Sequence, residues 1–341
     1  MRGLVNRVSC KPTVIALVAG LLAPCAAISQ LVPPTPLEQA ESEPPTNRFD
    51  MPMEGWARVR YSVLADGTTA NFRVMDRMPT QLVDREIREA FDNWTFQPAM
   101  KDGTAVDWHN NESIIVFDAG SIPPEPSPRF VTGYREVDTL LTLGEHEDAE
   151  KRSRLLLSTE TSRLAEMGVG LVQNARIHMA LGNPHEAYAA IQRATDPRAT
   201  LLEPSELAVA LEYRNTLELG LGDVVGALAT FARRTELGPV PDTDLMAARA
   251  DAIEAALSSD AAIGVKGKML EDIWTHNLAR RTFAIGDLDG SLRRLNVECD
   301  QGQVELEYSE ESEWSIPESW GACTVSVEGR RDTEFVFYEF Q

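Results

Sequence analysis

The chain is poor in the residues that most directly announce chemistry. Five histidines are scattered through 341 residues, and only four cysteines occur. No G-x-S-x-G elbow, P-loop, dinucleotide glycine fingerprint or H-E-x-x-H pair is present. Nucleophilic hydrolysis, nucleotide chemistry and zinc hydrolysis therefore have no visible carrier, and no cofactor is expected. Cations are also scarce, with 32 lysines and arginines against 53 acids and a net charge of −21. That balance argues against nucleic acid as a partner, because phosphates demand basic surface. The acids read as a solvated face that keeps the protein dispersed.

Long apolar runs are missing as well. The segment TVIALVAGLLAPCAAI at 13–28 is interrupted by Pro24 and falls short of the roughly 20 apolar residues that a spanning helix needs. Arg2, Arg7 and Lys11 precede it, and small residues at Ala27 and Ser29 offer cleavage before Gln30. Residues 1–29 thus read as a signal peptide, with an uncleaved inner-membrane anchor as the alternative and a lipoprotein box at LAPC a weaker third. The expected compartment is the periplasm. Two of the four cysteines lie in this leader, so Cys299 and Cys323 remain as an even pair in an oxidising compartment. A disulfide is the natural reading, and neither cysteine has a histidine or second cysteine at metal-ligand spacing.

What is present is organisation. Residues 30–50 are proline-rich and acidic, a short tether, and 120–130 form a second proline-rich break. Between them, 51–119 make one small domain. Ala57, Val59, Tyr61 and Val63 alternate with Trp56, Arg58, Arg60 and Ser62, the period of a half-buried strand. Asp66-Gly67 turns a hairpin. Thr80 can cap a helix with Val83, Ile87, Ala90, Phe91 and Trp94 on one stripe. A second Asp-Gly turn at 102–103 leads into a final strand, giving a β-hairpin, helix and strand packed as a small α/β sandwich. Trp56, Trp94, Phe96 and Trp108 read as core filling rather than as a ligand cage.

The words G-x-A-x-V-x-Y-x-V-x-x-D-G from Gly55 through Asp66 to Gly67, A-F-D-N-W-T-F-Q-P-A with Phe96, Pro98 and Ala99, and D-G-T-A-V at Gly103 carry a resemblance. They look like the C-terminal domain of TonB energy transducers, over about a fifth of the chain. The resemblance implies a scaffold that grips an extended peptide, such as a segment of a TonB-dependent outer-membrane transporter, by strand addition. The usable edge would be the last strand, at Ile114, Ile115, Val116 and Phe117. The same edge could equally pair two copies as a homodimer. Family transducers place this domain at the extreme C-terminus, behind a long spacer and a membrane helix bearing a histidine. Here it lies near the N-terminus behind a short linker, and 13–28 hold no histidine.

Residues 131–270 change character. LGEHEDA at 143–149, LGNPHEA at 181–187 and LGDVVGA at 221–227 recur with glycine spacings of 38 and 40. Such a period in an alanine- and leucine-rich segment predicts stacked helical hairpins resembling degenerate tetratricopeptide repeats. Ser153 stands where the first unit should be apolar. His178 and His185 flank the LGN turn as ordinary surface or core histidines, and DLDG at 287–290 reads as a strand-connecting turn. Residues 271–341 alternate with period two in VELEY, CTVSV and TEFVFYEF, a small all-β domain stapled by Cys299–Cys323.

The expected whole is a multidomain α+β protein, not an enzyme, that binds proteins or peptides by β-strand addition and offers its helical repeats as a second surface. A true energy transducer for outer-membrane transport is the alternative, and an enzyme hidden in the C-terminal β domain is the second.

Overall fold

The computed structural model describes residues 31–38, 44–46, 52–79, 82, 84–92, 94–120, 126–161, 163–238, 243–310 and 312–341. The leader at 1–29, and the cap and stripe positions Thr80 and Val83, lie outside them.

The first module runs β1 (Leu31–Val32), β2 (Thr35–Glu38), β3 (Gly55–Val63), β4 (Thr69–Met78), α1 (Asp84–Phe91), β5 (Thr95–Gln97), β6 (Ala99–Lys101), β7 (Thr104–Val106) and β8 (Trp108–Phe117). Its main sheet has the order β4–β3–β8, all antiparallel. One face presents Ala57, Val59 and Tyr61 to Ile87 and Phe91 of α1. The opposite face presents Trp56, with Ile114 and Val116 of β8, to apolar side chains of the helical region. The alternation predicts a half-buried strand; instead Trp56 is 1% and Arg60 8% exposed. A central strand covered on both faces loses the polar side that period two implies.

The proline-rich tether is also more ordered than its composition predicts. β1 pairs with β6, and β2 with β5. Short strands expose unpaired backbone groups, and an already extended segment can meet them at small conformational cost. Leu31 then closes over Ala99 and Trp108. The expected final strand divides into β7 and β8. Asp102 and Gly103, at φ 51° and 78°, join β6 to β7 in the two-residue turn that favours left-handed residues at both positions.

The helical region comprises α2 (Pro128–Leu143), α3 (His146–Leu155) with a π-helical turn at Leu156–Glu160, α4 (Leu164–Ala180), α5 (Pro184–Ala194), α6 (Pro204–Leu221), α7 (Val224–Glu236) and α8 (Thr243–Ser258). The recurring glycines fall just past α2, α4 and α6, and Ala149, Ala187 and Ala227 are fully buried on the helices that follow. Small side chains there let paired helices approach closely. Ser153 is buried too, and Asn174 Nδ2 donates to its hydroxyl at 3.4 Å; the unexpected polar residue has a partner.

The C-terminal region contains β9 (Ile263–Lys268), β10 (Ile273–Asn277), β11 (Thr282–Asp289), β12 (Leu292–Cys299), β13 (Gly302–Glu307), β14 (Glu313–Ser315), β15 (Cys323–Gly329) and β16 (Glu334–Phe340). Two four-stranded sheets, β10–β15–β12–β13 and β14–β11–β16–β9, share a core that includes Phe283, Val297, Val325 and Phe337. This all-β region starts at Ile263, ahead of the expected 271, because Gly264 and Gly267 obscure the period of β9. Cys299 and Cys323 are directly opposed on β12 and β15, and their disulfide joins neighbouring strands of one sheet.

Candidate functional site

The paired register places Trp56, Arg58 and Arg60 on one face of β3, opposite Val116, Ile114 and Glu112 of β8. Two arginines facing inward beside a tryptophan need partners. Arg60 Nε donates to Glu112 at 3.0 Å, and Arg58 lies 3.6 Å from the same carboxylate. Arg58 reaches further, to Glu271 ahead of β10, with N–O distances of 2.8 and 3.0 Å. Burial opposes the charge of Arg58, yet Glu271 and Glu112 together hold its pKa above the usual range.

Above this face lies a cleft of about 520 Å³, walled by all three regions, within the usual size of ligand sites. Helix α5 contributes His185, Tyr188, Ala189, Gln192 and Arg193, linked by spacings of three and four residues so that they share a side. The loop behind it adds Arg198, and the β region adds Trp274 and Arg331. Arg193 is 2.6 Å from Asp76 of β4. Lys268 bridges Glu186 at 3.0 Å and Glu334 at 3.3 Å, and the hydrogen bond to Glu186 keeps its pKa high. Burial pulls His185 down and drives Tyr188 well up, the latter helped by Asp223 and Glu218. Tyr188 donates to Asp223 at 3.2 Å.

Behind the cleft, His276 sits 2.9 Å from Glu339 and 3.6 Å from Asp223. Glu339 also accepts from the N–H groups of Ala279 and Arg280, at 2.7 and 2.8 Å. Both ring nitrogens of His276 thus face carboxylates, which clamps α7 to the β region and leaves neither aimed at a substrate. Among the described residues, no group of three or more His, Cys, Asp and Glu side chains is placed to hold a metal. The cleft is equipped to bind, through cations and an aromatic wall.

The proposed edge residues divide. Among the described residues, β8 has β3 as its one strand neighbour. Arg198 donates to the Glu112 carbonyl at 3.4 Å, so the Glu112 backbone faces away from β3. By the two-residue period, so do the N–H and C=O groups of Ile114 and Val116. Ile115 and Phe117 point their backbone at β3 and bury their side chains, each 1% exposed, against α1. The four aromatics considered as a cage are distributed over three separate clusters: Trp56 with the helices, Trp94 and Phe96 with α1, and Trp108 with Leu31.

Residues 45–118 match the family described as Gram-negative bacterial TonB protein C-terminal. Protein TonB of Pseudomonas aeruginosa is 32% identical over 54 residues. Residues 45–118 are a TonB C-terminal-like module. The match to that relative spans only 16% of each chain. In the TonB-like module the motif residues do structural work. A Cβ on Gly67 would lie 2.7 Å from the Phe96 carbonyl oxygen, and one on Gly55 2.6 Å from that of Met78. The Asp66-Gly67 turn and the Phe96–Ala99 element are therefore one packing unit, with Pro98 beside Gly67 and Ala99 fully buried. Asp66 Oδ1 fixes the turn by accepting from Thr68 N–H at 2.9 Å.

Sequence reasoning missed the cleft. Its one visible signal was a pair of arginines on the Trp56 side of a strand; Glu271, Arg198 and Arg331 carry no local pattern. Cys299 and Cys323 border a different crevice, with Glu298, Pro33 and Trp108. No helix among the described residues is long and apolar enough to cross a membrane.

Proposed function

We propose that the chain is a non-enzymatic periplasmic interaction protein that takes up an extended peptide as an added strand on β8. The outward backbone of Glu112, Ile114 and Val116, on a strand with one strand neighbour among the described residues, carries this reading, because N–H and C=O groups outside a ladder are a template for another strand. The TonB-like module supports a protein partner in general, and the N-terminal segment of an outer-membrane transporter is the first one to test. The helical repeats supply the second partner surface. An adaptor is preferred to an energy transducer because the second face of the TonB-like sheet is packed on helices of the same chain.

Hydrogen-exchange mass spectrometry on the mature chain, with and without transporter N-terminal peptides, tests it. The Glu112, Ile114 and Val116 amides should slow on peptide binding. Peptide binding that protects another strand and leaves β8 unchanged would move the site elsewhere.

A further inference from the structure

We propose that the peptide taken by β8 is acidic, with carboxylates at alternate positions that project into the cleft; this rests on the strand-addition reading. A strand laid along Glu112–Val116 turns every second side chain onto the face that bears Trp56 and Arg58. That face is the floor of the cleft, where lysine and arginine side chains outnumber the lining acids, although all but Arg331 also meet a carboxylate. Six lysine and arginine side chains line it, against three acids, in a protein of net charge −21.

Several of those cations have donors to spare. Arg331 is exposed, and its Nε donates to the Leu270 carbonyl at 2.7 Å; among the described residues no carboxylate pairs with it. Arg193 makes its closest approach to Asp76 through Nε, at 2.6 Å. Arg198 is held by Asp196 through Nε and Nη2, at 2.9 and 2.7 Å, and only its Nη1 contact to the edge carbonyl of Glu112, at 3.4 Å, is one that an incoming strand can displace. Trp56 borders the cleft as an apolar floor, 1% exposed and packed against the helical region. Planar guanidinium groups suit carboxylates better than point charges do.

The chain's overall field repels anions and attracts cations, so a preference for acidic peptide can arise only locally. Fluorescence anisotropy on the mature full-length chain would compare a labelled heptapeptide of alternating valine and glutamate with its valine–lysine counterpart. The acidic peptide should bind at least tenfold more tightly. Arg331→Glu, an exposed change that removes no ion pair, should abolish that preference and weaken acidic binding about tenfold, while 0.5 M salt should compress the difference. Equal binding of both peptides, or an acidic preference unmoved by Arg331→Glu, would overturn the charge assignment and leave strand addition standing. Failure of both peptides to bind would overturn the charge assignment and strand addition together.

Discussion

One guanidinium nitrogen of Arg58 meets both carboxylate oxygens of Glu271, at 2.8 and 3.0 Å, across 213 positions of sequence. Both side chains are less than a quarter exposed. The pair joins the TonB-like sheet to the connection between β9 and β10, at the lip of the cleft. Glu271→Gln keeps the shape and removes the charge, leaving Arg58 with only its longer contact to Glu112. The expected cost lies between that of surface pairs and fully buried ones, about 2 kcal/mol. Denaturant melts of Arg58→Met, Glu271→Gln and the double variant should show positive coupling. Strictly additive effects would mean that the contact contributes nothing.

Glycine positions separate by what surrounds them. Gly144 and Gly222 both follow a helix at positive φ, 78° and 85°. A Cβ on Gly144 meets nothing within 4 Å, whereas one on Gly222 would lie 2.1 Å from the Gly264 carbonyl oxygen of β9. Gly144→Ala should cost about 1 kcal/mol, the strain of a left-handed alanine. Gly222→Ala adds a backbone collision between the repeats and the β region, and should cost about 3 kcal/mol or more. Equal losses in thermal melts would show that the β region yields freely at that contact.

Those two glycines also mark what the sequence could tell. Their recurrence and conformation were legible, because a helix end imposes φ locally. That Gly222 touches β9 was not, since Gly264 leaves no pattern in the intervening residues. The same holds at the site. Gly67 and Phe96 announce themselves as motif words, and the strand ending at Phe117 reads directly from its apolar run. The cleft is assembled from Arg58, Arg198 and Arg331, residues whose meeting depends on how three regions pack. Period two even misled on β3, because a strand buried on both faces by different partners keeps its alternation while losing its solvent.

The Cys299–Cys323 bond closes a loop with a sequence separation of 24. On the chain-entropy account such a loop contributes about 3 kcal/mol. Reductant should therefore lower the melting temperature of the protein, and the Cys299→Ser, Cys323→Ser double variant should melt low with or without it. The TonB-like module should keep its own near-ultraviolet signal longest as the β region opens. An identical transition in reducing and non-reducing samples would deny the bond any share in stability.

Glu298, at the end of β12, provides the clearest pH dependence. Burial raises its pKa from 4.5 to about 7, against an opposing hydrogen bond from Asn296 at 3.1 Å. The folded chain therefore holds a proton that the unfolded chain releases, so stability contributed by the protonated form is complete below pH 4.5 and lost as pH rises through 7. The loss is of order 2–3 kcal/mol, since each pKa unit corresponds to about 1.4 kcal/mol and Glu298 is not wholly buried. Glu298→Gln cannot ionise and should melt close to the unaltered protein at pH 4.5, then well above it at pH 8. A glutamine variant that loses stability at pH 8 would show that the Asn296 contact to the ionised carboxylate outweighs its burial.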